Sequence, residues 1–173
     1  MTLALDDSRW TTLTTAYGGG CDELLGWLRH AYAEGMTDER LGDIINEVQH
    51  QGDTSEAMYA VSPHLLTLAE AAEPKMARDL VIHAGLIHCS SQTLNAVDCP
   101  EDLRAEFEQS AEIGRQRLME TLPSAQSFDD MKYDFAALAG FMGHGRFGLV
   151  IEGIEFFEDQ FYQSAFEEPI PDA

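Results

Sequence analysis

Apolar residues recur at three- and four-residue steps along nearly the whole chain, and that spacing leaves little choice of secondary structure. Met76, Leu80, Ala84, Ile87, Ser91 and Leu94 alternate steps of four and three, which predicts one face of a helix of about 20 residues. Leu103, Phe107, Ala111, Gly114, Leu118 and Leu122 repeat the pattern after Asp98-Cys99-Pro100, where a proline loses no needed donor. No run of alternating apolar and polar residues supports a strand. A chain patterned in this way buries its stripes by packing helix on helix.

The same reading divides the rest of the chain. Asp6, Asp7 and Ser8 precede Trp10, Leu13 and Tyr17, spaced i, i+3, i+7, which predicts a first helix ended by Gly18-Gly19-Gly20. Leu24, Leu25, Leu28, Ala31 and Tyr32 mark a second helix, stopping near Gly35. Thr37 caps a third, with Asp38 and Glu39 suited to the positive end of its dipole and Leu41, Ile44, Ile45 and Val48 as its stripe. His50-Gln51-Gly52-Asp53 interrupts the pattern. A helix from Thr54 or Ser55 to Ala72 follows, which Pro63 must kink or restart, and Glu73-Pro74 ends it. A helix from Asp129 is expected to bury Phe135, Leu138 and Met142 before Gly143-His144-Gly145. The last is expected to bury Val150, Ile154, Phe157 and Phe161. The fold expected is all-α, seven or eight helices arranged as stacked hairpins. Residues 1–168 are expected to form one domain, and residues 169–173 a flexible tail.

Charge narrows the partners. The chain has 31 Asp and Glu against 10 Lys and Arg, a formal net charge of −21. Such a surface repels phosphate backbones and anionic headgroups and attracts cationic proteins. Nucleic acid and membrane are therefore poor expectations, and a basic protein is a good one. No segment approaches the roughly 18 apolar residues of a membrane span. Cys21, Cys89 and Cys99 are too widely spaced for a disulfide framework or CxxC pairs, which suits a reducing cytoplasm.

Trp10-x-x-Leu13-x-x-Ala16-Tyr17-Gly18, then His50-Gln51-Gly52, then Ala57-x-x-Ala60-Val61-x-Pro63-x-Leu65-x-x-Leu68, resembles bacterial HEAT-repeat-like proteins. Helical proteins of this sort recur among the immunity proteins that protect bacteria from polymorphic toxins. The resemblance implies helical stacking and protein binding, and it carries over no catalytic residues. In physical terms His50 and Gln51 are expected to cap the carbonyls of a helix end, with Gly52 making the turn.

Chemistry-bearing groups are sparse. His83, His88 and Cys89 are the nearest approach to a ligand cluster, but residues five apart do not share a helix face, so neither a metal nor any other cofactor is expected. Cys89 lies mid-helix among apolar residues, which blunts a thiol, whereas Cys21 follows three glycines at a helix start. From Phe147 to Ala173 there are seven acids and no Lys or Arg, and Glu152, Glu155, Glu158 and Asp159 form the expected partner-binding row. A metal-dependent or Cys/His hydrolase is one alternative. The other is a structural homo-oligomer, paired through Trp27 or Phe166.

Overall fold

A computed structural model describes residues 2–50, 53–121 and 128–153 of the chain. It is all-α. Seven α-helices are present among the described residues: α1 (Asp22–Glu34), α2 (Asp38–Val48), α3 (Ala57–Ala69), α4 (Pro74–Ser90), α5 (Glu101–Thr121), α6 (Phe128–Phe141) and α7 (Gly145–Glu152). α1 pairs with α2, α3 with α4 and α6 with α7, and the pairs pack on one another. α4 is the hub, touching α2, α3, α5, α6 and α7.

Local sequence explains most boundaries. Thr37 caps α2, its hydroxyl accepting from the Arg40 amide at 3.2 Å, with Asp38 and Glu39 in the first turn. Pro74 occupies the first turn of α4, where its missing donor is harmless. Pro63, expected to kink or restart a helix, instead lies inside a continuous α3, and the Thr67 hydroxyl donates to its carbonyl at 3.0 Å. α3 is apolar all round and buried at 12 of its 13 positions, so it forms the centre of the core.

Glycine sets how closely α4, α6 and α7 approach. A Cβ on Gly85 would lie 2.5 Å from the Ala137 side chain. One on Gly148 would lie 2.6 Å from the Ala136 carbonyl oxygen. One on Gly140 would overlap the Gly85 carbonyl and lie 2.7 Å from the Cys89 sulfur. Backbone therefore meets backbone around Cys89, whose thiol donates to the Ala136 carbonyl at 3.2 Å.

Several expectations need correction. The segment of Trp10, Leu13 and Tyr17 is a short 3₁₀ turn over Ser8–Thr12 followed by loop, not a helix. Trp10 and Leu13 are buried while Tyr17 is exposed, because Asp7 caps only that turn and the chain then extends at Leu13. His50 does not cap a helix end. Gln49 and His50 pair antiparallel with Asp53 and Thr54 as a two-residue hairpin, a strand that no alternating pattern announces; Gln51 and Gly52 lie outside the described residues. Leu94 falls beyond the end of α4 and is exposed.

The largest difference concerns α6 and α7. Phe135 and Met142 face outward, whereas Lys132, Asp134, Ala136, Ala137 and Phe141 are buried. Small residues win the inward face because only they permit the close approach to α4. Val150 is likewise exposed, and Gly145 and Gly148 are the buried positions of α7.

Two buried histidines tie helices together. His64 stands under the Trp10 ring, at 5.9 Å between centroids, with Nε2 donating to the Leu3 carbonyl at 3.0 Å and Nδ1 accepting from the Tyr32 hydroxyl at 2.8 Å. His88 stacks on Phe107 at 3.9 Å, its Nε2 donating at 2.9 Å to Ser110 Oγ, which itself donates to the Phe107 carbonyl. Burial lowers the pKa of His64 to about 4 and of His88 to about 3. An unfolded chain binds protons at these rings below about 6.5, which the folded protein refuses, so stability is lost as pH falls from there towards 4. The loss for His64 alone is of order 3 kcal/mol. Carboxylate protonation changes stability over the same range, so a paired comparison isolates the effect. His88→Phe keeps a ring against Phe107 but cannot be protonated, and its urea midpoint is expected to fall less between pH 7 and pH 4 than that of the parent chain. Parallel curves would contradict this account.

Candidate protein-binding surface

Backbone hydrogen bonds hold the loop before α1 in place. The Gly18 amide donates to the Thr15 carbonyl at 2.9 Å, and the Thr15 amide donates to the Gly19 carbonyl at 3.0 Å. Gly18 has φ +75°, the left-handed conformation the turn requires and side chains resist. The Ala16 amide donates to the Glu47 carbonyl at 2.8 Å, and the Ala57 amide donates to the Thr14 carbonyl at 3.2 Å, which fixes the loop to α2 and to the start of α3. Tyr17 is thereby presented to solvent on an ordered backbone.

That placement brings together two of the residues that stand out in the sequence, Tyr17 and His50. Their rings lie 4.7 Å apart, and the Tyr17 hydroxyl is 2.9 Å from His50 Nδ1. Asn46 completes the group, its amide nitrogen donating to the Tyr17 oxygen at 2.7 Å and its carbonyl 2.9 Å from His50 Nδ1. With Nδ1 protonated, His50 donates to Asn46 and the phenol accepts from Asn46, which leaves the Tyr17 hydrogen for an acceptor outside. An aromatic side chain fixed in this way loses little entropy on binding.

Two acids neighbour the group. Asp53 is paired across the hairpin from His50, and Glu47 neighbours Asn46. Asp22, Glu47 and Glu56 lie close enough to Cys21 to help raise its pKa to about 11, after burial as the main cause. None of Asp22, Glu47, Asp53 and Glu56 is ion-paired among the described residues. The salt bridges gather elsewhere, as in Arg9–Asp102, Arg78–Asp134 and Arg117–Glu70.

The other residues singled out by the sequence go to different places. Trp10 and Pro63 are core residues. Glu152 is half-buried in a cleft of about 460 Å³ that it lines with Arg78, Asp79, Ile82, His83, Leu86 and Tyr133. Burial holds its carboxyl above the ordinary range, opposed by Lys132. Glu155, Glu158, Asp159 and Phe166 lie outside the described residues. Trp27 is half-buried against the core.

Burial also pushes the Cys89 thiol up to about 12 and Cys99 up to about 11, so all three sulfurs are held as thiols at neutral pH. Among the described residues no three of His, Cys, Asp and Glu converge as metal ligands, and no helix is long and apolar enough to cross a membrane.

A second surface lies at the other end of the sequence. Met131, Phe135, Leu138 and Ala139 of α6 and Met142 just after it, with Phe147 and Ile151 of α7, line an apolar groove of about 500 Å³. The spacing of Phe135, Leu138 and Met142 is its sequence signal, although the same spacing equally describes a core stripe. No protein-family model matches this chain, and no curated protein or solved structure matches it.

Proposed function

We propose that this chain acts by binding a basic protein, with the Tyr17–Asn46–His50 face as the contact. The observation that carries the reading is the fixed, exposed tyrosine set among carboxylates that make no ion pair among the described residues, on a chain of net charge −21. Electrostatic attraction speeds encounter with a cationic partner, and a rigid aromatic anchor slows release. A cytoplasmic immunity protein that neutralises a basic toxin domain is the form that the resemblance to HEAT-repeat-like proteins suggests. The hydrolase alternative needs a reactive thiol or a ligand cluster; protonated thiols and scattered histidines favour binding instead.

Capture of a panel of basic proteins and Lys/Arg-rich peptides tests this. Tyr17→Ala is expected to weaken capture about tenfold, mainly through faster release. Glu47→Lys with Asp53→Lys is expected to slow association and flatten its salt dependence. A parallel variant reversing Glu152, Glu155, Glu158 and Asp159 examines the row that the sequence indicates. Loss of binding there, with Tyr17→Ala silent, would move the contact to the C-terminal acids and sink the proposal.

A further inference from the structure

We infer that the groove between α6 and α7 binds a free alkyl carboxylate, with the alkyl chain along the groove and the head group at Arg146. Met131, Phe135, Met142 and Phe147 are 40%, 45%, 55% and 63% exposed along it, a contiguous strip of large apolar side chains. Apolar surface of this extent marks a binding site. At about 500 Å³ the groove also has the size of a small-molecule pocket.

The chemistry at one end selects the occupant. His144 and Phe147 line the groove and also an adjoining hollow of about 390 Å³, which Arg146 lines as well. The apolar strip therefore runs directly into a cationic end. Arg146 is exposed and makes no ion pair or side-chain hydrogen bond among the described residues, and the exposed His144 ring is likewise unengaged there. Gln92 takes the first amide of α7, its Oε1 accepting from Gly145 at 2.6 Å, so the charge at this end comes from Arg146 and not from the helix terminus. Lys132 also lines the groove, but it is buried with its ammonium over the Tyr133 ring at 4.6 Å and offers nothing to a ligand. Arg146 is the one formally charged residue among the exposed positions from Met131 to Ile151, so a carboxylate meets a cation and no acid along them.

A free alkyl chain suits the walls better than the other occupants. An extended peptide would leave its backbone amides and carbonyls unpaired against apolar side chains. A membrane brings anionic headgroups towards a chain of net charge −21, and a second copy brings another −21. An alkyl chain has no polar group to bury, and the flexible side chains of Met131 and Met142 adapt to its path.

Calorimetric titration of the full chain with decanoate, below its micelle concentration, tests this against decyltrimethylammonium and decan-1-ol. One equivalent of decanoate is expected to bind, about fivefold more tightly than the cationic amphiphile. Adsorption of detergent on an acidic chain has the reverse preference, so tighter binding of decyltrimethylammonium would overturn the inference, as would the absence of decanoate binding. Arg146→Gln is expected to weaken decanoate about fivefold and leave decan-1-ol unchanged, whereas Phe135→Ser weakens both about tenfold. Both side chains are exposed, and circular dichroism is expected to match that of the parent chain. Arg115→Gln on α5 makes the same charge change elsewhere and is expected to leave decanoate binding intact; a loss equal to that at Arg146 would contradict the assignment. On sizing, a dimer that decanoate does not disperse would assign the groove to a second copy. Capture of an apolar helical peptide, with decanoate silent, would assign it to a protein partner. No basic protein enters these measurements, so their outcome is separable from that of the binding face at Tyr17.

Discussion

Replacing Gly140 with alanine is expected to lower the stability of this protein by about 3 kcal/mol, the upper end of the usual cost of overpacking. The added Cβ would overlap the Gly85 carbonyl and press on the Cys89 sulfur and the Cys89 amide nitrogen, at 2.7 and 3.0 Å. Two of those three atoms are backbone, so no rotamer change relieves the clash, and α4 and α6 must move apart. Separation would loosen Gly145 and Gly148 of α7 as well, which rest on Cys89 and Ala136. Gly26→Ala supplies a control of opposite sign. That position lies mid-helix in α1 with nothing within 4 Å of a new Cβ, so alanine there is expected to stabilise by about 0.5–1 kcal/mol through reduced chain entropy. Urea midpoints for both variants check the pair. Equal midpoints would show that α4 and α6 do not approach through glycine.

The second large effect is expected at Asp134. Its carboxylate is fully buried and receives the Arg78 guanidinium through Nε at 3.2 Å and a terminal nitrogen at 2.9 Å, the Arg side chain itself being 19% exposed. Asp134→Ala removes two carboxylate acceptors from a partly buried cation on α4, and breaking such a pair one-sidedly costs about 3–5 kcal/mol. Replacing both partners together, as Arg78→Met with Asp134→Leu, is expected to recover part of that loss, since neither charge is then stranded. The double-mutant cycle gives the coupling directly. By contrast, Glu112→Ala on the exposed Glu112–Arg115 pair is expected to leave the urea midpoint essentially unchanged, because solvent screens the pair. A large effect at Glu112 and a small one at Asp134 would invert the account.

Both sites show why the inward face of α6 is hard to read from sequence. Taken as a string, Phe135, Leu138 and Met142 look like a core stripe, and Lys132 and Asp134 look like a solvated face. The folded chain reverses the two. A helix packed through Ala136, Ala137 and Gly140 against Gly85 gains contact by proximity rather than by side-chain size. The charges on that side then survive burial because Arg78 meets Asp134 across the interface. Periodicity states only that a helix has two faces. Which face is buried depends on the width of the gap waiting for it.

The surface at Tyr17 is half legible. Tyr17 stands out in the sequence as part of an expected helix stripe and His50 as an expected helix cap, and neither reason holds. Their meeting through Asn46, across 33 residues, needs the loop to be clamped onto α2 by the Ala16–Glu47 hydrogen bond.

By itself the sequence determined that this chain is all-α, where most helices start, and that it is strongly anionic. These follow from residue spacing, from capping side chains and from a count of charges, all of which act over a few residues or over the whole chain at once. Tertiary structure decided which stripe of α6 is core, that Trp10 and Tyr17 part ways within one short segment, and that an apolar groove lies open beside α7. Those outcomes turn on how near two backbones come, a distance set by residues far apart in sequence.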